Sequence, residues 1–179
     1  MARPPLRALL VGPGASRAEE LLTAGAAAAG AVVAVVLSRG QHGWTWWLVA
    51  LTALLGLDLF GGVVANATGA ARRWWHRPGT RDRDRVLFAL GHVHPYVLAA
   101  VTDLPWVTAA ALHACAVGGA LLVAACGADL RRPLAYGCTA LALAVLLGAG
   151  GVPAGLAWFA VAYLVKLLMA HLLPDGRER

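Results

Sequence analysis

Charged and proline-bearing breaks divide this chain into apolar runs long enough to cross a lipid bilayer. No ionisable residue interrupts residues 21–37, and residues 44–71 contain one, Asp58. A helix needs about 20 apolar residues to cross the hydrocarbon core. Backbone groups find no water there, so such runs predict helices. Of the 179 residues, 60% are hydrophobic and 13% charged, against roughly 45–50% and 25% in soluble domains. One soluble core cannot hide that much apolar surface, and disordered chains are poor in apolar residues.

The runs predict an all-α polytopic bundle of six transmembrane helices over residues 21–37, 44–71, 86–102, 106–126, 134–147 and 154–173. Residues 1–20 and 174–179 are expected as tails and residues 21–173 as the membrane domain. Residues 6–11 are too short for a signal-peptide core before the Gly12-Pro13-Gly14 break. Six spans put both termini on one side. Thirteen of the fifteen lysines and arginines then lie on that side, with Arg39 opposite and Lys166 within a span. The positive-inside rule makes this side cytoplasmic.

The net charge of +6 does not imply nucleic acid as a partner. Arg72, Arg73, Trp74, Trp75 and Arg77 alternate cations with aromatics at the end of a span, where both anchor a helix among anionic lipid headgroups. Trp44, Trp46 and Trp47 suggest an aromatic belt at the opposite interface. Cys115, Cys126 and Cys138 lie in apolar runs without a Cys-x-x-Cys spacing, so they read as small hydrophobes.

Ionisable side chains inside hydrocarbon are costly and are functional candidates. Asp58 lies fourteen residues from both Trp44 and Arg72, about 21 Å of helical rise each way, which places it near the midplane. His94 is equally central between Arg85 and Asp103, with His92 slightly inward. Lys166 lies a little inward of centre, and His113 in the outer half. Asp58 opens a helical stripe of Gly61, Gly62, Ala65, Asn66 and Gly69. Its small residues permit close helix approach, so Asp58 is expected to face protein. On a straight helix His92 and His94 diverge by about 200°. Pro95 disfavours helical geometry at His94, and an opened turn would let both rings reach one cavity. His92, Tyr96, Ala99 and Asp103 form a second polar stripe. Pairing with Asp58 is the favoured fate of Lys166, and His171 is expected at the inner interface.

Asp58 to Asn66, Arg73-Trp74-Trp75-His76-Arg77, His94-Pro95-Tyr96, Arg132-Pro133 and Lys166 to His171 together form a pattern. From about residue 50 onward it resembles a family of small bacterial polytopic membrane proteins. The resemblance implies that these positions belong together, and it implies no activity.

Three functions suit a buried polar site. An enzyme acting on a lipid-soluble substrate would use Asp58, His92, His94 and Lys166 as reacting groups, with Gly61, Gly62, Asn66, Tyr96, Asp103 and His113 for binding or packing. Asp58, His92, His94 and His113 also offer the donors of a zinc or iron site, and His94 with His113 those of a haem. A proton-coupled transporter would use the same residues as a relay, although no three-span repeat is visible. An accessory subunit would pack its small-residue stripes against a partner helix or a second copy. The cofactor expectation is therefore none, with zinc or iron as the alternative.

Overall fold

The computed structural model describes residues 11–39 and 45–174. These residues form helices and no strands. Helix α1 (Arg17–Ser38) starts in a capping box. The Ser16 hydroxyl accepts from the Glu19 amide at 3.2 Å, and the Glu19 carboxylate accepts from the Ser16 amide at 2.8 Å. Helix α2 (Trp46–Ala67) ends at Thr68, whose hydroxyl caps the short α3 (Gly69–Trp75). Next come α4 (Asp82–Leu90), α5 (His94–Val101), α6 (Trp106–Ala125) and α7 (Ala128–Gly148). The last run opens with a 3-10 turn, Ala154–Leu156, continues as α8 (Ala157–Leu164), and finishes as a π-helix, Val165–His171.

Among the described residues, five helices are long and apolar enough to cross a membrane: α1, α2, α6, α7 and the composite Ala154–His171. The sixth expected span, residues 86–102, is broken in two. Residues 91–93 separate α4 from α5, and Pro95 sits in the first turn of α5, where its missing amide costs nothing. The break therefore precedes the proline. The two pieces still track α6. Asp82, at the start of α4, binds Arg131, which also bonds the carbonyls of Ala124 and Cys126 at the end of α6. In α5, Tyr96 stacks on Trp106 at the start of α6.

The fifth run is longer than expected, because α7 starts at Ala128 and carries Pro133 inside it. Arg72 to Trp75 are helical rather than part of a loop. Trp44, residues 1–10 and residues 175–179 lie outside the described residues, whereas Trp46 and Trp47 are exposed as a belt requires. The three cysteines are unpaired and partly buried.

The composite last helix is the centre of the bundle. Phe159, Tyr163, Leu164, Leu167 and Leu168 are fully buried there, against α2, α6 and α7. Ser38 ties the end of α1 to it, donating to the Gly155 carbonyl at 3.0 Å and accepting from the Trp158 indole at 2.9 Å. Helices α1 and α2 make the closest crossing. A Cβ added at Gly56 would stand 2.5 Å from the Gly30 carbonyl oxygen and 2.6 Å from the Ala34 methyl. Close packing of this kind replaces the hydrophobic driving force that is missing between helices in lipid.

Candidate intramembrane site

Asp58, halfway along α2, meets Lys166 from the last helix at 2.7 Å between Oδ2 and Nζ. The lysine crosses α2 over a glycine. A Cβ at Gly62 would stand 2.5 Å from its Cε and 3.0 Å from its Nζ. Gly61, one residue earlier, faces Ala27 of α1 instead. The small-residue stripe thus serves two neighbours: one edge admits α1 and the other admits the lysine stem. Lys166 is 4% exposed at its side chain and Asp58 46%, so the charge removed from the surroundings is the cation.

The break between α4 and α5 brings the histidines to this pair. At residues 88–92 the α-helical pattern fails, since the His92 amide bonds Ala89 rather than Phe88. The His92 ring replaces it, with Nδ1 2.6 Å from the Phe88 carbonyl oxygen. A carbonyl only accepts, so Nδ1 carries the hydrogen, and in the neutral form of the ring Nε2 is left as a lone pair. The Tyr163 hydroxyl donates to the freed His92 carbonyl at 2.8 Å, and its oxygen lies 3.1 Å from His113 Nδ1. Irregular backbone is tolerated at membrane depth when protein groups satisfy it in this way. His94 follows, with Nε2 3.7 Å from Asp58 Oδ2 and Nδ1 buried without a hydrogen-bond partner.

Asp58, His92 and His94 each offer one donor atom within 4.8 Å of the others. His113, expected as a fourth donor, is not in this group; Tyr163 holds it against Tyr96 instead, whose ring centroid lies 5.3 Å away. Its pairing with His94 as haem ligands finds no support in that placement. Tyr96 packs on Trp106, and Asp103 lies in the exposed turn beyond α5, so neither adjoins Asp58.

A partly open pocket of about 460 Å³ reaches inward from Asp58, Lys166 and His92 between α1, α2 and α4. Ala24, Ala27 and Leu57 contribute apolar wall, and Trp75 and Phe88 close one side. Asn66, 9% exposed, lines the pocket with its amide nitrogen unpartnered, and so does Thr23 with its hydroxyl. His171, expected at an interface, is instead 1% exposed and stacked on Phe88, with ring centroids 3.8 Å apart.

Tyr163 and Phe88 escaped the sequence reading, and Trp75, expected as a headgroup anchor, lines the pocket. Aromatic residues in apolar runs read as core, and only the contact with a broken backbone distinguishes them. At the start of α4, Asp82 accepts from Arg85 and, at 3.0 and 2.8 Å, from Arg131. Burial raises the Asp82 carboxyl, but the guanidinium hydrogen bonds outweigh it and hold the group below its usual range. His76, near Arg85, is pushed down to about 4, first by burial and then by that cation.

Comparison with protein-family models, with curated proteins and with solved structures finds no match to this chain.

Proposed function

We propose that this chain is a six-span inner-membrane protein, with both termini in the cytoplasm, whose intramembrane site carries out chemistry on a lipid-soluble substrate. The observation that carries this reading is the convergence of Asp58, His92 and Lys166 in one mostly apolar pocket, whose other polar lining residues are Glu20, Thr23 and Asn66, with His94 beside Asp58. A soluble substrate would not need such walls. At mid-helix, Asp58 and Leu57 are both exposed, so the pocket opens through the side of the bundle, where lipid stands. Lateral entry favours an enzyme over an aqueous transport path. Asp58, His92 and His94 are the reacting groups, Lys166 positions the carboxylate, and Asn66 and Thr23 offer hydrogen bonds to polar atoms of the substrate.

The broken α4–α5 pair supplies the sixth crossing, because its residues track α6 from end to end. Single cysteines introduced for labelling test this. A cysteine at Thr80 is expected to react from the cytoplasmic face, together with the arginine-rich segment around it. Reaction only from the opposite face would reverse the topology.

The activity is tested by reconstituting the protein into vesicles of bacterial lipid extract and following all lipid-soluble species by mass spectrometry. At least one species is expected to be consumed and another formed. The rate should fall by about 10²-fold or more in His92→Gln and Asp58→Asn, the usual scale for loss of an acid–base group. Identical profiles with and without the protein would overturn the enzymatic reading.

A further inference from the structure

We propose that Asp58, His92 and His94 bind a divalent transition-metal ion of the zinc class, with a fourth position left for a ligand from the pocket. His94 Nε2 is 3.7 Å from Asp58 Oδ2. That is beyond hydrogen-bond length, but it is close to the roughly 3.3 Å that separates two donors each 2.0–2.1 Å from one tetrahedral ion. All three donor atoms lie within 4.8 Å of one another, so small side-chain rotations close the set. His92 is already prepared: its Nδ1 hydrogen bond to the Phe88 carbonyl leaves Nε2 as the lone pair, the outer arrangement that orients metal-bound imidazoles. Asp58 Oδ2 also accepts from Lys166, and a carboxylate has lone pairs enough for both cation and ion. Two imidazoles and one carboxylate disfavour magnesium and calcium, which take oxygen ligands.

Charge sharpens the expectation. Asp58 and Lys166 cancel, so a dication bound beside them leaves two uncompensated positive charges in a low-dielectric setting. The fourth ligand is therefore anionic, and loss of the lysine charge strengthens binding.

The inference rests on the same cluster as the proposed activity but is read separately. Purified protein stripped with chelator is titrated with Zn2+ and, as a spectroscopic probe, Co2+. One equivalent of Zn2+ is expected to remain after gel filtration, with visible Co2+ absorption of a four-coordinate site. His94→Gln and His92→Gln should retain less than a tenth of it while remaining monodisperse. His113→Ala should retain all of it, and Lys166→Met should bind at least tenfold more tightly. Equal metal content in the parent and His94→Gln, or loss in His113→Ala, would overturn the site. Metal bound with no change in the lipid profile would leave the site standing and remove the enzyme. A profile changed equally by chelated protein would do the reverse.

Discussion

Asp58→Asn is expected to destabilise the protein by about 3 kcal/mol, because it leaves the Lys166 cation buried without its partner. The reverse change should cost less. Lys166→Met keeps an unbranched stem over Gly62 and leaves a carboxylate that is 46% exposed to the pocket. A loss of about 1 kcal/mol is expected, because the half-exposed carboxylate is less desolvated than the buried lysine. The double variant should recover about 1 kcal/mol of the larger loss, with a coupling of about 2 kcal/mol. Reversible unfolding in mixed micelles measures all three corners of the cycle. Additive losses would mean that the 2.7 Å contact contributes nothing to stability and that Asp58 depends on the histidines instead.

Gly56→Leu is expected to cost about 3 kcal/mol, the upper part of the usual range for overpacking. The obstacle is the Gly30 carbonyl and the Ala34 methyl of α1, neither of which can turn aside. Gly25→Leu, on the same pair of helices, meets nothing within 4 Å and should change stability by less than about 0.5 kcal/mol. Gly62→Leu is expected to fall between them, since it displaces a flexible lysine stem rather than backbone. Equal unfolding free energies for Gly56→Leu and Gly25→Leu would show that α1 and α2 do not cross where Gly56 meets Gly30.

The long apolar runs made the helices legible, because in lipid the backbone has almost no alternative to a helix. Depth along each run was also readable from helical rise, and it placed Asp58, His92, His94 and Lys166 at a common level that the geometry brings together. Rotation about the helix axis was less accessible. The stripe from Asp58 to Gly69 announced a packed face, but not that Gly61 meets α1 while Gly62 meets Lys166. Hydropathy averaged over residues 86–102 cannot see that the chain breaks at residues 91–93, since the cost of the break is met by Tyr163 and by the His92 ring. His113, expected in the outer half, lies with Tyr163 and Tyr96 rather than with the Asp58 group.

The π-helical end of the last span has a consequence for which side chains face one wall. Along an α-helix, five residues advance the direction by about 140° beyond a full turn, so Lys166 and His171 would point to different neighbours. In a π-helix the backbone bond joins residues five apart, and position 171 returns above position 166. Lys166 can then reach Asp58 on α2 while His171 lies on Phe88 of α4. A single residue inserted into an ordinary helix is sufficient to create such a wide turn, and a single deletion after Lys166 would erase it. By this change of winding His171 comes to stack on Phe88, which itself lines the pocket, with no change in the direction of the span.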